Sequence, residues 1–153
     1  MRTINIQDAL NDALSSYRSG DHQRALTLCE MILKEDPHNQ RSFRLMAVIY
    51  AQSGAIHNAI DLMREAVRSD PYDSSCQQDL GIMLSGIGKY DEALYSYNKA
   101  ISINPSIGLS LYNKGNLLRD MKRLGDAVKS FRRSITLSPT YNLSRLNLGL
   151  VII

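Results

Sequence analysis

The chain carries four prolines, at 37, 71, 105 and 139, each 34 residues after the last. A fixed spacing of this length marks a repeated supersecondary unit, and periods between 20 and 50 residues belong to stacked arrays. Other columns keep the same register. Ala25, Ala59, Ala93 and Ala127 are one. The small residues Ala13, Ala47, Gly81, Gly115 and Gly149 are another. Gly20, Gly54 and Gly88 make a third, which breaks at Lys122. Cys29, Met63, Tyr97 and Phe131 form a bulkier apolar column, and Ile32, Ala66, Ala100 and Ser134 a mostly small one.

Between the prolines, apolar residues recur every three or four positions, the mark of amphipathic helices. In the third unit Leu80, Met83, Leu84 and Ile87 share one face, and Leu94, Tyr97, Ala100 and Ile101 share another. Gly88 falls between them, where a helix end needs a residue that accepts positive φ. Asp70, Asn104 and Ser138 precede prolines, and a pre-proline residue is pushed out of helical geometry, so a helix stops there. The spacing predicts first helices near 5–18, 39–52, 73–86 and 107–120, and second helices near 22–35, 56–69, 90–103 and 124–137. Glycine inside a helix costs about 1 kcal/mol against alanine, so Gly81, Gly115 and Gly149 imply close approach of a partner helix. The alanine column does the same from the second helix. Helices this short are marginal alone and depend on neighbours for burial. The expected fold is all-α: antiparallel helix pairs stacked into a right-handed superhelical solenoid with one concave face. With 153 residues and 44% apolar content, a single domain over 1–153 is expected.

A 34-residue helix–turn–helix unit with small–small contacts and a closing proline resembles the tetratricopeptide repeat (TPR). The resemblance spans essentially the whole chain and is clearest in "LGIMLSGIGKYDEALYSYNKAISINP" (80–105) and "LYNKGNLLRDMKRLGDAVKSFRRSITLSP" (111–139). It implies repeats at 5–38, 39–72, 73–106 and 107–140, with a partial fifth at 141–153. Two departures stand out. The first unit has Asp12, Ala13 and Ser16 where the family favours leucine, glycine and tyrosine, and the fourth has Lys122 for the turn glycine. The closing "LNLGLVII" fits the fifth unit's first helix, since Gly149 continues the small column and Leu148 the line of Met46, Leu80 and Lys114. An uncapped stack end exposes apolar surface. The expectation is therefore a segment of a longer array; the alternative is an end covered by a partner.

The resemblance places function on the concave face, lined by first helices. Its inward positions read Asn11, Leu45, Asp79, Asn113 and Asn147 in one column. A second reads Leu14, Val48, Ile82, Asn116 and Leu150, and a third Leu10, Arg44, Gln78, Tyr112 and Leu146. Asparagine offers a donor and an acceptor from one amide, which matches the N–H and C=O of an extended peptide. "YNKGN", with Asn113 and Asn116 flanking Gly115, is similar to repeats of the O-linked N-acetylglucosamine transferase, whose asparagine ladder implies a grip on substrate chains. Asn11, Arg44, Leu45, Val48, Gln78, Asp79, Ile82, Tyr112, Asn113, Asn116 and Asn147 are the expected peptide-binding residues. Leu45 and Val48 would supply an apolar floor in the first half. The family's carboxylate-clamp mode is not expected: its sites here read Leu10, Leu14, Leu45, Ser75 and Asp79, and Asp79 would repel a carboxylate.

Other classes find little support. Residues 105–139 hold seven basic and two acidic side chains, a balance of +5, while residues 1–36 total −2. Lys129, Arg132 and Arg133 follow helical spacing opposite Val128, Phe131 and Ile135, a solvated stripe rather than the broad basic field with stacking aromatics that nucleic acid needs. His22, His38 and His57 fall at turns or helix starts without a nucleophile or ligand partner. "SGIGKY" (85–90) fails as a phosphate loop, lacking its first glycine at Met83 and its hydroxyl at Tyr90. Cys29 and Cys76 show neither metal nor redox spacing and suit a reducing cytoplasmic setting. Asp8 and Asp12 interrupt any leader at the start, eight residues are too few to cross a bilayer, and the glycosylation triplet at 142–144 lies in a predicted helix. No enzyme activity and no cofactor are expected. The expected function is a scaffold that binds a protein or an extended peptide. The alternatives are a substrate-recognition arm of a larger enzyme such as a glycosyltransferase, or self-association through Leu146 and Leu150 on the last helix.

Overall fold

The computed structural model describes residues 4–139 and 142–152. The expected junction of the fourth and fifth repeats, at 140–141, lies outside the described residues. Among the described residues all regular structure is helical: α1 (Ile6–Arg18), α2 (His22–Glu35), α3 (Gln40–Gln52), α4 (Ile56–Ser69), α5 (Ser74–Gly86), α6 (Tyr90–Ile103), α7 (Gly108–Asp120), α8 (Leu124–Leu137) and α9 (Asn142–Ile152). The four second helices occupy the expected ranges. The first helices of the four pairs begin one residue late, because Asn5, Asn39, Asp73 and Ile107 are N-caps and stand outside. Three of these caps act through their side chains. Asn5 accepts from the backbone N–H of Gln7 and Asp8, Asn39 from that of Ser42, and Asp73 from those of Ser75 and Cys76, satisfying orphan donors of the first turn. At the other ends, Asp36, Asp70, Asn104 and Ser138 turn away from helical geometry with φ between −128° and −139°, as a following proline demands.

The chain divides into two compact units, Met1–Tyr72 and Asp73–Ile153, and the division falls between the second and third repeats. In the first unit α1 packs on α2, α3 on α4, and α2 against α3. Its core joins Ala13, Ala25, Cys29, Leu45, Met46 and Ile49, with Leu14, Tyr17 and Leu26 packed on the rim. Tyr17 also stacks on His22 and accepts a hydrogen bond from Gln52 Nε2 at 2.7 Å.

In the second unit α5 packs on α6, α7 on α8, and α9 on α8, with α6 against α7. Phe131, Ala127 and Leu118 form its centre, with Leu94, Tyr112, Leu148 and Val151 around them. The expected close approaches at Gly81 and Gly115 are present. A Cβ on Gly81 would lie 2.7 Å from the Tyr97 ring, and one on Gly115 2.5 Å from the Phe131 ring. At Gly149 a Cβ would meet nothing within 4 Å, so the close approach expected there is absent. Its partner in the aromatic column would be residue 165, past the end of the sequence. Ser134 Oγ donates to the Gly108 carbonyl at 2.9 Å and lies 3.0 Å from Ser144 Oγ, which ties α7, α8 and α9 with polar groups fully buried.

Each hairpin turn is three residues long and follows one geometry. Gly20, Gly54 and Gly88 have φ of 84°, 84° and 77°, and the next N–H returns to a carbonyl five residues back, as Asp21 does to Ser16 and Lys89 to Leu84. This is the Schellman closure of a helix C-terminus. The fourth turn makes the same bond, Arg123 N–H to the Leu118 carbonyl at 2.8 Å, and forces Lys122 to φ 61°. The break in the glycine column is therefore a break in residue type and not in backbone shape.

Candidate functional site

In the first unit, the candidate residues Asn11 and Val48 reach the surface and Leu45 does not. Asn11 is exposed and accepts from Gln7 Nε2 at 3.1 Å, while Gln7 Oε1 lies 3.4 Å from Arg41 Nη1. Leu45 is only 7% exposed and belongs to the core with Met46 and Ile49, so it cannot form a groove floor. The column that sequence register places inward turns an apolar member into the core, because burying a leucine gains what leaving it in water forfeits. Arg44 is half-buried and already has an interaction partner.

The second unit assembles a more connected set. Tyr112 and Asn116 on α7 meet Asn147 on α9: the Asn147 amide donates to the Tyr112 hydroxyl at 3.2 Å and to Asn116 Oδ1 at 2.7 Å. Both hydrogens of the Asn147 amide are thereby engaged, leaving its Oδ1 as an acceptor, while Asn116 keeps its Nδ2 hydrogens as donors. The Tyr112 ring is anchored from below by Phe131, with centroids 6.1 Å apart. Asn113 is half-exposed one residue along from Tyr112, and Ile82 on α5 is an exposed apolar residue. Gln78 departs from expectation. It is 9% exposed, and its Oε1 accepts from Ser110 Oγ at 2.7 Å, so this amide ties α5 to α7 rather than facing a ligand. Asp79 is half-buried and engaged with other groups. Leu146 and Leu150, the self-association candidates, are 61% and 60% exposed on α9.

Sequence register missed a second feature of this unit. A cavity of about 220 Å³ opens between α6, α7 and α8, with Leu94 and Leu118 as its apolar lining. Lys114, Arg123, Lys129, Asn98 and Ser130 line it with one carboxylate, Asp126. The Arg123 guanidinium grips Asp126 through Nη2 at 2.8 Å and Nε at 3.2 Å, and that hydrogen-bonded ion pair holds the Asp126 carboxyl below the usual carboxylate range. The signal that could have found the cavity is Lys114, a cation in a column that otherwise holds Asp12, Met46, Leu80 and Leu148. Among the described residues, no group of histidine, cysteine or carboxylate side chains is arranged to hold a metal, and no helix is long and apolar enough to cross a membrane.

Two family models, each for the tetratricopeptide repeat, match residues 16–80 and residues 75–107 and 109–141. Among solved structures, the chain is similar to a crystal structure of MamA protein at 20% identity and a TM-score of 0.87, covering 95% of this chain and 80% of that one. It is similar to MamA from Desulfovibrio magneticus RS-1 at 16% identity and a TM-score of 0.87, covering 99% of this chain and 85% of that one. The likeness to pilF of Pseudomonas aeruginosa has 19% identity and a TM-score of 0.86, over 96% of this chain and 67% of that one. Identities this low establish the fold alone. No curated protein matches the chain in sequence.

Proposed function

The chain belongs, over residues 16–141, to the tetratricopeptide repeat family, and from that premise we propose that it is a protein-binding scaffold whose second unit takes an extended peptide along α7 and α9. The hydrogen-bonded set of Tyr112, Asn116 and Asn147 carries this reading. It presents an oriented acceptor, Asn147 Oδ1, beside oriented donors on Asn116 Nδ2, the complement of one peptide unit. Because Asn147 is already held by two partners, less side-chain freedom is lost when a ligand arrives. Asn113 extends the polar line, and Ile82 gives an apolar contact for a side chain of the peptide. Such a surface reads backbone more than side chains, as the similarity of "YNKGN" to the transferase ladder implies. The reading assigns the chain no chemistry of its own, and a role as the recognition arm of a larger enzyme would use the same surface.

Capture of peptides from an immobilised random library tests it. Asn116→Ala and Asn147→Ala should each weaken the captured peptides by roughly tenfold, the loss of one or two hydrogen bonds from a partly buried network, with unchanged helical circular dichroism. Equal capture by both variants removes the site from this face. A second reading rests on the exposure of Leu146 and Leu150 together with Leu143 and Ile152. Apolar surface of this kind on one helix can join two copies, and light scattering over a concentration series would then show a dimer that Leu146→Glu with Leu150→Glu disperses. A monomer at every concentration sinks that reading and leaves the first intact.

A further inference from the structure

Lys114 has no structural reason for its place. The equivalent positions of the two preceding repeats are Met46 and Leu80, both buried, so an apolar side chain satisfies this site, while the first repeat has an exposed Asp12 there. Lysine there must be drawn partly out of water, and among the described residues it forms no ion pair in return. Burial is the larger cause holding its ammonium below the ordinary lysine range, and Arg133 and Arg123 push the same way against the pull of Asp126. A side chain that breaks its repeat's own pattern without a packing gain marks a functional position.

We propose that the cavity between α6, α7 and α8 binds a phosphate monoester, with Lys114 as its central cation and Arg123, Lys129 and Asn98 as further donors. Three cations and one carboxylate line the cavity, a surplus of two positive charges (3 − 1 = 2). A phosphate monoester carries about −1.5 to −2 at neutral pH, which matches the charge surplus, and its three acceptor oxygens can take hydrogen bonds from several donors at once. Asp126 does not fill the role internally. It is engaged by Arg123 through Nε and Nη2 and lies 3.8 Å from Lys129 Nζ, which leaves Arg123 Nη1 and the Lys114 ammonium for a ligand. Asn98 adds an uncharged donor, Ser130 Oγ donates to the Asp126 carbonyl at 3.1 Å, and Leu94 and Leu118 supply apolar lining. This site does not depend on the peptide surface. Lys114 stands two residues from both Tyr112 and Asn116, about 200° around α7, on its other side.

Titration of the 153-residue chain with inorganic phosphate and with a phosphoserine peptide, followed by amide and lysine side-chain NMR, decides the matter. The expected result is saturable shifts at Asn98, Lys114 and Ser130. Lys114→Met reproduces the residue at position 46, so it should fold with an equal or higher Tm while losing about tenfold or more in phosphate affinity. Lys129→Ala, at an exposed position, should weaken binding by a smaller factor and guards against a folding failure of the first variant. If a phosphoserine peptide binds more tightly than inorganic phosphate, the source is a phosphorylated protein; if it does not, the source is a free small phosphate. Absence of saturable shifts with either ligand, or equal affinity in wild type and both variants, overturns the proposal.

Discussion

In the first unit, the small column holds Ala13 and Ala47, and at the matching register of the second helices stand Cys29 and Met63. In the second unit the same positions hold Gly81 and Gly115 against Tyr97 and Phe131. All eight are buried in their units. The backbone period is identical, yet the volume has moved from one helix of the pair to the other: the Tyr97 and Phe131 rings occupy the space that a Cβ on the facing glycine would need. The two units therefore fill one contact by different divisions of the same room. Interiors packed near crystal density tolerate such exchanges only in pairs.

Gly115→Ala is the sharpest way to break the comparison. Its Cβ would sit 2.5 Å from a fully buried Phe131 ring that has nowhere to go, so the variant should lose about 1–3 kcal/mol in urea unfolding. Adding Phe131→Met, which copies the first unit's pairing, should recover much of that loss. No recovery in the double variant would mean that the two positions do not share one volume. Gly149→Ala is the control, since a Cβ there meets nothing and the gain in helix propensity should make it neutral or stabilising.

The same column also differs in what it must keep protonated. Burial pushes the Cys29 thiol up to about 11, opposed by a hydrogen bond with Ser42 and aided by Glu30, while burial alone raises the Tyr97 phenol above the tyrosine range. The unfolded chain releases the thiol proton near the ordinary value of 9.0, whereas the folded chain keeps it until about 11. Stability is thus full below pH 9.0 and is lost as pH rises towards 11, with a slope approaching 1.4 kcal/mol per pH unit for this one group. Cys29→Ala should flatten the early part of that decline and leave the later part due to Tyr97. Superimposable alkaline profiles for the two proteins would show that the thiol does not contribute.

A smaller effect than that of Gly115→Ala is expected at the fourth turn. Lys122 adopts the left-handed backbone that Gly20, Gly54 and Gly88 adopt without a Cβ penalty, so Lys122→Gly should raise stability by about 1 kcal/mol. An unchanged Tm would mean that the second unit already compensates for the strained residue.

Helix boundaries were legible to within a residue because their determinants are local. Proline excludes helix at the residue before it, an asparagine or aspartate cap reaches two or three residues ahead, and a turn needs one residue at positive φ. The candidate surface was legible only as a set of columns. Asn11 and Leu45 share a column, yet one is exposed and the other lies in the core. Gln78 and Tyr112 share another, yet the first is sealed by Ser110 while the second opens towards Asn147.

By itself the sequence determined the repeated unit: its period, its helix pairs, its turns and the small–large contact inside each pair. All of these follow from constraints acting within about one hairpin of chain. Tertiary structure alone decided which members of a column meet water, which amides hold one another, and that Lys114 sits in a cavity beside Arg123 and Lys129. Exposure and electrostatic partners depend on side chains brought in from other helices, and a register of 34 says which positions are equivalent without saying what will pack over them.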